Sequence, residues 1–133
     1  MVSKTSNNPH KVLIVDDERD IRHIFKIILE KKSYNVIEAP DGKAALEILE
    51  KDDSQEIIAV ITDYLMPRMN GIELCKILRT DSRYKYLAAV ILITAHLSAE
   101  RFEETKCFDA KFTKPLNFNN FIEKMNACII AST

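Results

Sequence analysis

Ile57-Ile58-Ala59-Val60-Ile61-Thr62-Asp63 is the stretch that decides the fold. An unbroken apolar and β-branched run stops abruptly at an acid. A run this short, rich in Ile and Val, suits a strand buried on both faces, and such strands belong to parallel sheets covered by helices. The acid opens the loop Tyr64-Leu65-Met66-Pro67-Arg68-Met69-Asn70-Gly71. That loop carries a proline and closes on one of only two glycines in the chain.

The same pattern repeats on either side. Lys11-Val12-Leu13-Ile14-Val15 ends in Asp16-Asp17, and Ala89-Val90-Ile91-Leu92-Ile93 ends in Thr94. Asn35-Val36-Ile37-Glu38-Ala39 is more polar and is expected nearer an edge. Ala110-Lys111-Phe112-Thr113 is a weaker strand that runs into Lys114-Pro115.

Between the strands the apolar period changes to that of helices. Ile21, Ile24, Phe25, Ile28 and Leu29 recur at helical spacing over residues 18–31. Residues 43–51 follow the Asp41-Gly42 turn, and residues 72–79 follow Gly71. Ser98 or Ala99 to Lys106 reads as a short charged helix. Asn117 is placed to cap a last helix whose face is Phe118, Phe121, Ile122, Met125 and Ile129. Residues 81–87 read as a polar connection. Five strands alternating with five helices predict an α/β fold with a doubly wound parallel sheet.

The 133 residues suit one domain, and 47% of them are hydrophobic, ample for one core. Lys and Arg number 19 against 20 Asp and Glu, a net charge of -1. That balance gives no polybasic footprint for nucleic acid. No apolar run approaches a membrane span, and the polar N-terminus is not a signal peptide. A cytoplasmic protein is expected, with residues 1–10 a flexible segment and 11–131 the domain. Cys75, Cys107 and Cys128 are odd in number and widely spaced, which predicts reduced thiols rather than a disulfide framework.

Each chemically loaded residue stands just past a strand. Asp16 and Asp17 follow the first, Asp63 the third, Thr94 closes the fourth, and Lys114 follows the fifth. A parallel sheet gathers all of them on one rim. With strand order 2-1-3-4-5, strands 1 and 3 flank the switch point where such folds bind ligands. Three carboxylates crowded there need a cation or a shared proton, and oxygen ligands without His or Cys select a hard ion, Mg²⁺ rather than a caged Ca²⁺. A metal, a hydroxyl, an ammonium and a nucleophilic carboxylate equip the rim for phosphoryl transfer. Singly, each residue has a plainer reading: Asp16-Asp17 as a helix cap, Asp63 as a turn, Thr94 as a strand end.

As a set these residues resemble the receiver domain of two-component response regulators. The resemblance is carried by Val15-Asp16-Asp17-Glu18, Asp63 with Met66-Pro67, Met69 and Gly71, Thr94-Ala95, and Thr113-Lys114-Pro115. It spans about residues 10–130 and is chemotaxis-regulator-like. It implies a flavodoxin-like fold in which Asp63 accepts a phosphoryl group from a phosphohistidine on a histidine kinase or histidine phosphotransfer protein. Mg²⁺ would be held by Asp16 (mainly through water), Asp17, Asp63 and the Leu65 carbonyl. Thr94 and Lys114 would contact the phosphoryl oxygens, and the Lys114–Pro115 peptide would be cis. The first helix would face the kinase. The fourth helix, fifth strand and fifth helix would face an output partner or fused effector domain, and offer a possible dimer surface.

Three features depart from the family. Lys111 occupies the position three before the lysine, where an aromatic residue is usual, and Phe112 follows it. Cys107-Phe108 replaces a common glycine turn. The span from Thr94 to Lys114 is short, so the fourth helix should be stubby. Two open questions concern the loops. His96 either lies over the site or is an exposed loop residue. Leu65 either shields the phosphoryl group or packs on its own loop.

Two other functions fit parts of the pattern. One is a phosphorylation-independent binding module on the same fold, which Lys111 keeps open although the presence of all five site residues argues against it. The other is an aspartyl-phosphate hydrolase, which generally needs a second acid at the position Leu65 holds. The chain is expected either to act alone through a partner or to form a segment of a longer regulator or hybrid kinase.

Overall fold

The computed structural model describes residues 10–95 and 103–132. Five parallel strands form one sheet: β1 (Lys11–Val15), β2 (Asn35–Ala39), β3 (Ile57–Thr62), β4 (Ala89–Thr94) and β5 (Ala110–Thr113). Their order is β2-β1-β3-β4-β5, as expected. Four α-helices accompany them: α1 (Arg19–Glu30), α2 (Gly42–Glu50), α3 (Gly71–Thr80) and α4 (Phe118–Ala131).

Among the described residues there are thus four α-helices against the five helices expected. Among the described residues, the segment before β5 holds a 3-10 helix over Glu103–Cys107. The expected start of the fourth helix, at Ser98 or Ala99, lies outside the described residues. The 3-10 geometry follows from lack of room. Phe108 N–H bonds back to the Thr105 carbonyl at 3.2 Å, and the chain enters β5 two residues later. Tight i→i+3 turns are used where a chain must stop so soon.

The sheet separates two apolar layers. Leu13, Val15, Val60, Val90 and Leu92 face α2 and α3, where Leu49, Ile72, Leu74 and Leu78 are buried. Val12, Ile14, Ile61, Ile91 and Ile93 face α1 and α4, where Phe25, Leu29, Phe121 and Met125 are buried. This alternation is the period of two in the strands. On the second face Phe25, Phe118, Phe121 and Phe112 pack edge to face, with centroids 5.5–5.6 Å apart. β2 lies at an edge and only Ala39 in it is buried, which matches its polar sequence.

Ile24 shares the helical spacing of Phe25 and Leu29 but is 44% exposed. Residues 81–87 are not a merely polar connection: Ser82–Tyr84 form a 3-10 turn, and Tyr84 and Leu87 are buried in the first layer. Asn117 caps the last helix as expected, and the structure adds caps at Asp41 and Asn70. Asp41 accepts from Ala44 N–H, Asn70 and Glu73 form a capping box on α3, and Asn117 accepts from Asn120 N–H. No helix among the described residues is long and apolar enough to cross a membrane.

Candidate functional site

The site lies where β1 and β3 end side by side. Val15 and Thr62 are in register, so the acids after them emerge together. Asp63 N–H donates to the Val15 carbonyl at 2.9 Å, and Asp16 N–H donates to the Ala39 carbonyl at 3.1 Å. The ladder thus extends one residue past each strand and fixes both acids. One ligand oxygen from each of Asp16, Asp17 and Asp63 lies within 4.8 Å of the others. Asp16 and Asp17 do not cap α1 as a pair. The N-cap position belongs to Glu18, which makes no side-chain cap bond, while Asp16 Oδ1 accepts from Glu18 N–H at 2.9 Å.

Lys114 reaches the same point from β5. Its Nζ is 3.5 Å from Asp16 Oδ2 and 3.6 Å from Asp63 Oδ2. Its N–H donates to the Thr94 carbonyl at 2.9 Å. Thr94 is buried, closes β4 and pairs with Thr113. The Lys114–Pro115 peptide is cis, as expected. All five strand-end residues therefore share one rim.

The electrostatics of the rim are unbalanced. Burial raises the pKa of Asp63, and the Asp16 carboxylate beside it raises it further. Tyr64 N–H, which donates to Asp63 Oδ1 at 2.8 Å, and the Lys114 ammonium act against this, while Asp17 adds to it. Three carboxylates against one ammonium leave a surplus of negative charge when all are ionised. An all-oxygen donor set with that surplus fits a hard divalent cation such as Mg²⁺.

The loop after Asp63 is braced from several sides. Thr62 Oγ1 donates to the Asp63 carbonyl at 2.8 Å, and Gly71 N–H donates to the Tyr64 carbonyl at 2.9 Å. Gly71 has no positive φ. A Cβ there would drive into the Asp63 carbonyl oxygen, so the glycine is needed for space. Arg68, at φ 69°, places its Nη2 2.8 Å from Asp41 Oδ2 and ties this loop to the start of α2.

The sequence did not reveal Arg22, whose Nη1 donates to the Asp16 carbonyl at 2.6 Å and whose Nε donates to Glu38 at 3.1 Å. Helical spacing marks Arg22 only as polar, and no local signal points it back towards Asp16. Leu65 is 70% exposed. His96 lies outside the described residues. Lys111 projects to the α2–α3 side and its Nζ donates to Thr105 Oγ1 at 3.3 Å. Phe112 projects to the opposite side against Phe121. Adjacent residues of a strand face opposite ways, so Phe112 does not stand in for an aromatic at Lys111.

A doubly wound sheet with an acid trio, a threonine and a lysine along one rim defines a signalling receiver class. The family model for the response regulator receiver domain matches residues 12–126, and the chain belongs to this family, which acts in two-component signalling. It is 41% identical over 99 residues to the chemotaxis protein CheY-3 of Vibrio cholerae, covering 74% of this chain and 73% of that one. It is 40% identical over 86 residues to the transcriptional regulatory protein CpxR of Escherichia coli, covering 65% of this chain but 34% of CpxR. The chain thus matches only about a third of that longer relative. Among solved structures, the response regulator TrrA of Thermotoga maritima, in complex with Mg²⁺-BeF, superposes with a TM-score of 0.72. Identity is 28%, over 90% of this chain and 98% of that one.

Proposed function

We propose that the protein is a phosphoacceptor switch in which Asp63 takes a phosphoryl group from a phosphohistidine of a histidine kinase or histidine phosphotransfer protein. The observation that carries this reading is Lys114 Nζ, held between Asp16 and Asp63 at the end of β5. In the reaction an Asp63 oxygen attacks phosphorus, the P–N bond breaks, and the imidazole nitrogen takes up a proton. Tyr64 N–H orients the carboxylate through Oδ1, which leaves Oδ2 beside the ammonium. Lys114 and Thr94 serve the phosphoryl oxygens, by charge and by hydrogen bond. Asp16, Asp17, Asp63 and the Leu65 carbonyl would hold Mg²⁺, which when bound offsets charge on the transferring oxygens. The domain turns over no external substrate; it catalyses only its own phosphorylation and dephosphorylation.

Conversion of the Asp63 carboxylate to an acyl phosphate adds negative charge and acceptor oxygens. Thr94 is drawn towards them, and the surface of the 3-10 helix, β5 and α4 reports the change to an output protein or fused domain in the cytoplasm. The kinase side has a matching feature. Ile21, Ile24 and Phe118 line an apolar groove of about 190 Å³ that runs up to Lys114 and Pro115. A partner helix seated there would bring its histidine to Asp63.

Incubation with Mg²⁺ and a small acyl-phosphate donor, followed by intact mass, tests the reading. One phosphoryl adduct is expected, absent in Asp63→Asn. An unmodified wild type under all conditions would instead favour a binding module, which the Lys111–Thr105 contact permits. Continuous phosphate release from many substrates would indicate a hydrolase.

A further inference from the structure

The Arg22 side chain turns back from the start of α1 towards the rim and is only 15% exposed. Its guanidinium forms a fork between two elements. Nη1 donates to the Asp16 carbonyl at 2.6 Å, and Nε donates to Glu38 Oε1 on β2 at 3.1 Å. The carbonyl that it holds belongs to the peptide joining Asp16 to Asp17, and that peptide is planar. Fixing its oxygen therefore fixes the direction in which the chain leaves for Asp17. The rest of Asp16 is anchored separately. Its N–H donates to Ala39, its Oδ1 accepts from Glu18 N–H, and its Oδ2 lies near Lys114 Nζ. Asp17 is exposed, yet one of its carboxylate oxygens lies within 4.8 Å of oxygens of Asp16 and Asp63. The acid trio thus depends on the setting of one peptide plane, and Arg22 grips that plane.

We propose that Arg22 is a positioning residue for a divalent cation: it holds the Asp16–Asp17 peptide so that the Asp17 carboxylate faces Asp16 and Asp63. This rests on the reading of the rim as the Mg²⁺ site of a phosphoacceptor. Partners behind the ligands set metal affinity by orienting them. Glu38 acts one step further out, by holding the other side of the guanidinium. A lysine keeps the charge but not the planar fork that reaches a backbone oxygen and a carboxylate at once. Charge alone gives Arg22 the opposite role. A guanidinium beside three carboxylates repels any cation that they attract. Geometry and simple repulsion therefore predict opposite signs when Arg22 is removed.

Thermal unfolding and acyl-phosphate labelling of the whole chain, each followed across a Mg²⁺ titration, test the proposal. In Arg22→Met, which keeps much of the apolar stem, the Mg²⁺ concentration for half the effect should rise about tenfold in both assays. The change should appear in that half-point rather than in the rate reached at saturating Mg²⁺. Arg22→Lys should show a raised half-point as well, although its charge is intact. If Arg22→Met does not fold by circular dichroism, Arg22→Lys carries the test alone, because a rise there reports the lost fork. A half-point unchanged in either folded variant, as a merely structural role predicts, would overturn the proposal. So would a half-point that falls, as repulsion alone predicts. In both cases Mg²⁺-dependent labelling of the wild type would leave the phosphoacceptor reading standing. A wild type whose melting and labelling ignore Mg²⁺ would overturn both.

Discussion

At the scale of single residues, Gly71 shows how far the sequence speaks. The turn after Asp63 was legible, because a proline and a rare glycine mark it. The reason for the glycine was not. It is the close approach of the Asp63 carbonyl, which arises only once β3 and α3 are folded. Gly71→Ala must push that carbonyl away, and overpacking of this kind costs about 1–3 kcal/mol. Urea unfolding should show that loss. Because the displaced backbone carries Asp63, labelling by an acyl phosphate should slow as well. Normal labelling with normal stability would mean that the loop relaxes freely. Asp16, Asp17, Asp63, Thr94 and Lys114 were all readable, since each follows an apolar strand. Arg22 was not, because its contact with the Asp16 carbonyl depends on how α1 leaves β1.

At the scale of elements, strands were more legible than helices because burial on both faces leaves an unmistakable apolar run. The spacing before β5 predicts a short charged helix, and its described part, Glu103–Cys107, is a 3-10 helix. Ile24 shares the spacing of the buried stripe yet is exposed, because spacing alone cannot tell a stripe facing the sheet from one facing a groove. If the groove seats a kinase helix, Ile24→Asp should slow transfer from a phosphohistidine partner by about tenfold, the scale of a moderate interface contact. Labelling by a small acyl phosphate should be unchanged, and equal loss in both assays would reject the docking role. The link between the α2 start and the Asp63 loop offers a pH test. Burial would raise the pKa of Asp41, but the Ala44 N–H and the Arg68 guanidinium outweigh it and hold it below the usual carboxylate range. A depressed value means that the stabilisation is complete above the ordinary carboxylate pKa of about 3.9. It is lost as pH falls through the folded value. Asp41→Asn keeps a capping oxygen but no charge. It should cost about 0.5–1 kcal/mol at pH 7, in the range of an ion pair with one exposed partner. The difference from wild type should vanish in acid below the folded value. A constant difference across pH would locate the loss in packing instead.

For the whole molecule, the decisive fact is the reach of the site. Asp16 and Lys114 are separated by 98 positions and meet only when β1, β3, β4 and β5 are assembled. Family membership and strand order could be read from the spacing of five residues because the parallel sheet converts sequence order into adjacency on one rim. Binding at that rim is therefore coupled to global unfolding. A cation that binds the folded rim and not the open chain stabilises by about 1.4 kcal/mol for each tenfold excess over its dissociation constant. Thermal unfolding should therefore shift upward with Mg²⁺, by roughly 2–6 °C at each such step for a domain of this size. In Asp63→Asn the response should shrink, because one carboxylate of the trio is gone. The same variant should be the more stable protein without Mg²⁺, since Asp63 is buried beside Asp16 and its charge is disfavoured there. The two melting curves should thus cross as Mg²⁺ is added. Curves that rise in parallel would place the cation elsewhere on the surface and remove the acid trio from consideration as its site.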